Sequence, residues 1–226
     1  MKTFSYVKDM PELVQLSVEE VDGKRFYISQ NNKRLPSVTT VLGHFKKQSL
    51  IDWRERVGEE EANKIMNRAA TRGTKYHNMM ERYLKNEIAI NEDIMPDMKQ
   101  SFFNSKPTLD LIDNIQYIES PLWSERLGLA GRTDVIGDFD GVPSIIDFKT
   151  SLKPKKEKWI DNYFEQGTAY SLMYKERVGK TINQVVIIIA VDNESEPQVF
   201  VKNTSDYVDS LIKKIWLYKK DQKNVC

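Results

Sequence analysis

The sequence predicts an α/β fold in which a mixed central β-sheet is flanked by helices, with a helical N-terminal addition. The first observation is the order of segments, a helix, three strands, a helix, one or two strands and a final helix, which is typical of layered α/β proteins. The second is segment 184–191, which is almost wholly apolar, as in a strand buried on both faces. The third is Asp140-Gly141, a strong hairpin signal between segments rich in β-branched and aromatic residues.

The N-terminal part of the chain begins with strands. They are expected at 18–21 and 25–28, with a turn before Arg34. A short helix is then predicted, which Ser37 or Thr39 caps and Gly43 ends. Since a helix N-terminus can hold a phosphate, Ser37 and Thr39 are also candidate DNA contacts, although such a residue is more often only a cap.

Two amphipathic helices follow. Apolar residues between Leu50 and Val57 lie on one face of the first, and Gly58 is expected to end it. The second begins near Glu59, in an acidic first turn that suits the helix dipole. Its apolar face would consist of Ala62, Ile65, Met66, Ala69, Gly73, Met80 and Leu84. His77 and Glu81 are four residues apart, so they share a face of this helix.

The remaining elements are assigned by the same criteria. Residues 87–114 form a polar connection with a helix through 98–103, and strands follow at 115–119 and 121–125. After the hairpin comes a basic loop, a helix over 162–177 ended by Gly179 and a strand at 198–202. Thr204 or Ser205 is expected to cap the final helix, whose apolar face uses Val208, Leu211, Ile212, Ile215 and Leu217.

Composition sets broad limits. The 226 residues suit one large domain, with an N-terminal part of about 1–90 and a core of about 115–226. No apolar run approaches the roughly 20 residues that span a bilayer, and the first residues do not resemble a secretory signal, so a cytoplasmic location is expected. The single cysteine, Cys226, excludes an internal disulfide. The net charge of +1 means that any nucleic-acid binding must depend on local patches.

The hairpin brings two carboxylates together. A two-residue turn at Asp140-Gly141 places Asp134 opposite Asp147, and Lys149 shares their face because side chains alternate along a strand. Facing like charges are destabilising, so a divalent metal with a neighbouring ammonium is the favoured interpretation. The alternative is a solvent-facing hairpin with ordinary surface charges. Pro143 could widen the loop, and a single bulge would turn Asp147 to the other face.

The sequence resembles the RecB-like nucleases of the PD-(D/E)xK superfamily, and within them most closely the mitochondrial genome maintenance exonucleases and their phage relatives. The motifs that carry the resemblance occur in the expected order over roughly residues 35–190. They are Gly73-Thr74-x-x-His77-x-x-x-Glu81, Gly131-Arg132-x-Asp134, Asp147-Phe148-Lys149-Thr150 and Gln166-x-x-x-Tyr170. The implied fold is a restriction-endonuclease-like core. Many relatives hold an iron–sulfur cluster on four cysteines, which this chain lacks, so no such cluster is expected.

The resemblance also implies roles for residues. His77, Asp134, Asp147 and the Phe148 backbone carbonyl would bind one or two Mg²⁺ or Mn²⁺ ions, which are suited to phosphodiester hydrolysis. Lys149 would be the catalytic lysine, supported by Gln166, with Glu81 in a less defined acidic role. Contacts to DNA would come from Arg68, Arg72, Lys75, Arg132, Thr150, Lys153, Lys155, Trp159 and Tyr170. Blander alternatives remain open, namely a core histidine, a helix-surface Gln–Tyr pair and a solvated lysine loop.

The function expected from this resemblance is a metal-dependent exonuclease that hydrolyses single-stranded DNA from a free end. The N-terminal strands and helices would form a wall of the DNA channel. A flap endonuclease with the same site and a DNA-binding subunit with a decayed site are the alternatives. The expected partners are single-stranded DNA and other replication or recombination proteins. No membrane association is expected, and the chain is expected to be a monomer in the cytoplasm, or in the host cytoplasm if it is viral.

Overall fold

In the computed structural model, a five-stranded mixed sheet lies between two layers of helices, and a three-stranded sheet precedes it. The structure describes residues 2–87 and 96–223. The strands are β1 Ser17–Val21, β2 Lys24–Ile28, β3 Arg34–Pro36, β4 Ile112–Ser124, β5 Leu129–Phe139, β6 Val142–Ser151, β7 Gln184–Val191 and β8 Gln198–Asn203. The helices are α1 Val38–His44, α2 Lys47–Val57, α3 Glu59–Leu84, α4 Pro96–Leu109, α5 Asp161–Val178 and α6 Val208–Lys223.

The large sheet has the strand order β4-β5-β6-β7-β8, while β1, β2 and β3 form the small antiparallel sheet. Strands β4, β5 and β6 are antiparallel, β6 and β7 are parallel, and β8 returns antiparallel to β7. Helix α5 makes the crossover that a parallel pair requires. The predicted mixed sheet with flanking helices is therefore confirmed, and no described helix is long and apolar enough to cross a membrane.

Alternation of side chains divides the core into two layers. Ile136, Ile145 and Ile187 face one layer, formed with α1, α5 and α6. Val135, Ile146 and Phe148 face the other, formed with α3 and α4. Because successive strand residues point to opposite faces, residues 134 and 147 belong to the face that α5 covers. The helix that carries His77 covers the opposite face.

The β5–β6 hairpin has the predicted register. Asp140 and Gly141 both have positive φ angles, 49° and 77°, as a two-residue hairpin turn of the I′ type requires. Pairing runs from Phe139–Val142 to Val135–Ile146 without a bulge. Pro143 does not widen the turn, because the β6–β7 ladder begins only at the next residue and its missing N–H removes no ladder bond.

Several predicted boundaries were wrong. Helix α1 continues past Gly43 to His44, and Phe45 is its C-cap. The strands expected at 115–119 and 121–125 are one long strand, β4, with a bulge between 113 and 117. Helix α4 extends over 96–109 and accommodates Pro107 in its interior. Residues 88–95 of the predicted connection, and Cys226, lie outside the described residues.

The helical faces also needed correction. On α3, Met66 is 41% exposed and Ala69 is exposed. The first half of this helix contacts α2, which has no buried residue of its own and so provides little cover. Its second half buries Tyr76 and Tyr83 instead. The Asn203 side chain caps a 3₁₀ turn over 204–207 that leads into α6, in place of the predicted Thr204 or Ser205. On α6, Ile212 is exposed and Tyr218 is buried.

Close packing of α5 on β7 generates the first prediction. A Cβ atom at Gly167 would lie 2.4 Å from Cγ1 of Val185, whereas one at Gly73 would meet nothing nearer than Thr150 Oγ1 at 3.9 Å. We expect Gly167→Ala to lower the free energy of unfolding by about 1–3 kcal/mol through overpacking. Gly73→Ala should instead raise it by up to about 1 kcal/mol, since alanine is the better helix former.

Both glycines are inside helices, so Gly73→Ala is a matched control for Gly167→Ala in urea denaturation. Adding Val185→Ala to Gly167→Ala should remove the clash and give a double variant less unstable than the sum of the single changes. A Gly167→Ala protein as stable as the wild type would contradict this packing.

Candidate metal centre

Three carboxylates lie side by side on the neighbouring strands β4, β5 and β6. The β4–β5 pairs on either side of Glu119 place it opposite Asp134. The last β5–β6 pair is Val135–Ile146, so Asp134 and Asp147 are the next residues across that ladder. Adjacent strands are about 4.8 Å apart, which makes Glu119, Asp134 and Asp147 a carboxylate row across the sheet.

The row lies at a fork, the point beyond Val135–Ile146 where β5 and β6 cease to pair. Here the Phe148 N–H donates to Oδ2 of Asp134 at 2.8 Å instead of to a strand carbonyl. The same oxygen lies 3.3 Å from Nδ1 of His77, which reaches the fork from α3. The fork thus lets a side chain from one face of the sheet meet carboxylates from the other.

The donor set fits a divalent cation. One ligand atom each from His77, Glu119 and Asp134 lie within 4.8 Å of one another. Two carboxylates and an imidazole form a set that Mg²⁺ tolerates and Mn²⁺ accepts readily. His77, Glu119 and Asp134 are therefore the residues best placed to hold a metal, with Asp147 next to them in the carboxylate row.

The electrostatics support the same conclusion. Burial, followed by the charge of Asp147, raises the pKa of Asp134 well above its usual range. Burial and the nearby Glu81 raise the pKa of Glu119. Burial lowers the pKa of His77 despite the Asp147 charge, which favours the neutral imidazole that binds metals. A bound cation would relieve the repulsion between the carboxylates.

Asp147 joins the row to a lysine. Its side chain is 1% exposed, and Oδ2 forms an ion pair with Nζ of Lys149. Oδ1 accepts a hydrogen bond of 3.0 Å from Nε2 of Gln166 on α5. Nζ of Lys149 also lies 5.2 Å from the ring centroid of Tyr163. Although burial lowers the pKa of Lys149, Asp147 and Asp134 raise it overall, so the ammonium stays charged.

Tyr170 packs beside Gln166 and supports its position. Its hydroxyl is 3.4 Å from Nε2 of Gln166, and its ring is 3% exposed. The ring lies against Gly131, where a Cβ atom would be 2.8 Å from Tyr170 Cε1. A glycine is therefore needed at position 131, because any side chain there would clash with the Tyr170 ring. The predicted contact of Tyr170 with DNA would need an exposed surface, which this burial removes.

Of the remaining predicted site residues, Glu81 lies near the metal centre, while Arg72 and Arg132 form structural contacts. Oε1 of Glu81 lies 2.6 Å from Lys85 Nζ, one helical turn beyond His77. Arg72 is 2.6 Å from Asp192, an ion pair that ties α3 to the end of β7. Arg132 donates to the Glu119 carbonyl at 3.0 Å.

The other DNA-contact candidates lie at the surface or at caps. Ser37 is buried, and its hydroxyl accepts from the Thr40 N–H as the helix cap. Trp159 is 56% exposed, with Lys156 above its ring at 5.2 Å. Thr39, Arg68 and Lys153 are exposed, while Lys75, Thr150 and Lys155 are half-buried. Nothing in the geometry tests their roles or that of the Phe148 carbonyl, which stay predictions.

Glu119 is the site residue that sequence reasoning missed. It follows the apolar positions of a strand and precedes Ser120-Pro121, so it looks like the end of that strand. Its φ angle of 46° is in the left-handed region, which no local pattern announces. Only the β4–β5 pairing shows that it lies beside Asp134. Extending the hairpin argument to β4 was the one signal that could have found it.

Comparison with known proteins indicates a class of enzyme for this chain. No protein-family model matches the chain. The chain is 27% identical over 130 residues to mitochondrial genome maintenance exonuclease 1 of Homo sapiens; the match covers 54% of this chain and 38% of that protein. The crystal structure of SSO0001 is similar at a TM-score of 0.47 and 14% identity, over 82% of this chain and 75% of that one. The sequence similarity supports a nuclease family at most.

The carboxylate row leads to a prediction for Glu119→Gln. Without metal, this change removes one of three neighbouring charges, so the variant should be at least as stable as the wild type. Ligand binding to the folded state stabilises it, by about 2.7 kcal/mol at a hundredfold excess over Kd. Mn²⁺ should therefore raise the melting temperature of the wild type and raise that of Glu119→Gln less.

The control for this measurement is Glu176→Gln, which makes the same charge change at an exposed residue paired with Arg177. It should respond to Mn²⁺ as the wild type does. An equal Mn²⁺ response in Glu119→Gln and the wild type would remove Glu119 from the ligand set.

Proposed function

We propose that this protein is a divalent-metal-dependent deoxyribonuclease that removes nucleotides from a free end of single-stranded DNA. The observation that carries the proposal is the carboxylate row beside His77, with the Lys149 ammonium held against its last member. An exonuclease relative over half of the chain supports the class of reaction. The preference for single strands follows from the family resemblance of the sequence motifs.

His77, Glu119 and Asp134 would hold the ion, and Asp147 would complete or orient the set. When bound, Mg²⁺ or Mn²⁺ supplies a Lewis acid for a phosphodiester and a means to activate water. The protein's contribution is to keep these ligands partly buried and fixed. Phe148 does so through its N–H to Asp134, and Arg132 does so through its bond to the Glu119 backbone.

Lys149 would stabilise the negative charge that develops on the phosphate or orient the attacking water. Gln166 holds one oxygen of Asp147 while the lysine holds the other, so both charged groups keep fixed positions. A preorganised ammonium in a site shielded from water acts more strongly than one in bulk solvent. The intact pairing of Asp147 with Lys149 argues against a DNA-binding subunit whose nuclease site has decayed.

The first experiment tests the reaction and its mode. Linear and circular single-stranded DNA are incubated with the protein in Mg²⁺, in Mn²⁺ and in EDTA. Loss of the linear form alone, and only with metal, is the result expected for an exonuclease. Loss of both forms would indicate an endonuclease and replace that part of the proposal. Loss of neither in metal would reject nuclease activity, and labelling one end would give the polarity.

Lys149→Met tests the role of the ammonium. Methionine keeps much of the alkyl chain and removes the charge, so turnover should fall by about 10²-fold or more while the fold persists. Stabilisation by Mn²⁺ should be retained, because Lys149 is not in the ligand set. Wild-type turnover in a folded Lys149→Met protein would exclude the proposed role.

A further inference from the structure

A groove away from the metal centre has the chemistry of a nucleic-acid site. It lies between β3, the β4–β5 turn at Gly128 and the C-terminal half of α6, with a volume of about 670 Å³. Trp216 is exposed at 59% and is one of its lining residues. We name this the α6 groove. An indole this exposed offers a flat apolar face for stacking.

The charge of the α6 groove is of one sign. Arg34, Lys219, Lys220 and Lys223 line it, and no carboxylate is among the described residues that line it. The Lys220 Nζ lies 5.4 Å from the Trp216 ring centroid, next to the indole. Cations around an exposed aromatic ring are the combination with which proteins bind single strands, because phosphates and bases alternate along the ligand.

Two of these cations are anchored by the scaffold. Lys219 Nζ donates to the Leu127 carbonyl at 2.8 Å, which leaves its charge uncompensated. Arg34 lies over the Phe26 ring at 4.0 Å and is partly neutralised by Glu19 at 3.4 Å. The exposed Lys220 and Lys223 are therefore the residues best placed to reach a ligand.

The α6 groove is connected to the metal centre by one strand. Gly128 precedes β5, and Asp134 lies six residues further along the chain. At about 3.3 Å per strand residue, the two regions are roughly 20 Å apart. A single strand whose end is at Asp134 would have to extend over several nucleotides to contact the groove.

We infer that the α6 groove is a second, non-catalytic binding site for single-stranded nucleic acid, in which Trp216 stacks on a base and Lys220 and Lys223 bind phosphates. This inference rests on the proposed nuclease function for its choice of ligand. The exposed indole favours a nucleic acid over an acidic protein, since an acidic partner has charge but no bases. Its role would be to hold the strand distal to the cleaved end.

The test measures binding of a long single-stranded oligonucleotide in EDTA, by fluorescence anisotropy of a label on the DNA. Trp216→Ala should weaken binding by roughly 5- to 150-fold, the range expected when one base no longer stacks. The Lys220→Gln, Lys223→Gln double variant should lower the slope of log K against log salt by about 0.7 for each phosphate that is no longer neutralised. Lys99→Gln, an exposed lysine of α4 in the opposite layer of helices, is the matched control and should bind as the wild type does.

Turnover separates this inference from the proposed function. All variants should cleave an oligonucleotide too short to span the roughly 20 Å to the groove at the wild-type rate. Weakened binding in the groove variants, with no cleavage by any protein, supports the groove and rejects the nuclease proposal. Unchanged affinity in both groove variants overturns the inference. Equal competition by polyglutamate of matched charge also overturns it, since the groove would then recognise charge alone.

Discussion

The structure depends on how three carboxylates are kept side by side in a partly buried place. Glu119, Asp134 and Asp147 occupy neighbouring strands, where like charges repel at short distance. Asp134 is compensated by an N–H of β6 and by His77 of α3, and Asp147 by Lys149 of its own strand and by Gln166 of α5. Burial first, and then the charge of Asp147 for Asp134 and of Glu81 for Glu119, still raise the pKa values of these two carboxyl groups. Under the proposed function, a divalent cation would stabilise this site, because its binding would relieve the repulsion between the carboxylates.

The fork explains how these elements can meet at all. A continuous β5–β6 ladder would use the Phe148 N–H and would separate α3 from α5 by the whole sheet. Where pairing ends, the carboxylate of Asp134 replaces the missing strand acceptor, and His77 reaches it from the opposite face. Close packing then fixes α5 relative to the sheet, with Tyr170 against Gly131 and Gly167 against Val185. The motif glycine at 131 is therefore needed for the position of Gln166 and not for turn formation.

Much of this could be predicted from local sequence, and the rest required pairing between distant segments. The Asp140-Gly141 turn determined the register of β5 and β6, and with it the positions of Asp134, Asp147 and Lys149, because a two-residue turn leaves no freedom. Glu119 was missed because its neighbour is defined by β4–β5 pairing beyond a bulge. Met66 and Ala69 were placed in a core because periodicity identifies an apolar face without showing whether another element covers it. The end of α1 was predicted wrongly because Gly43 is a residue type that commonly ends a helix, whereas the C-cap of this helix is Phe45.

The distribution of charge connects the metal centre with the surface. Basic residues close to the carboxylates already have partners within the protein. Lys149 pairs with Asp147, Arg72 pairs with Asp192, and Arg132 donates to a backbone carbonyl. These paired cations would attract the phosphates of a nucleic acid only weakly. The net charge of +1 also provides no long-range attraction for a polyanion. Under the proposed function, the cations that hold a nucleic acid would have to lie elsewhere, where no carboxylate fully neutralises them. No acid is among the described lining residues of the α6 groove, where Arg34 is partly neutralised by Glu19 and the Lys219 charge is uncompensated. Under the two proposals, the anionic reaction centre and the cationic binding surface would be separate, so a nearly neutral chain would provide both.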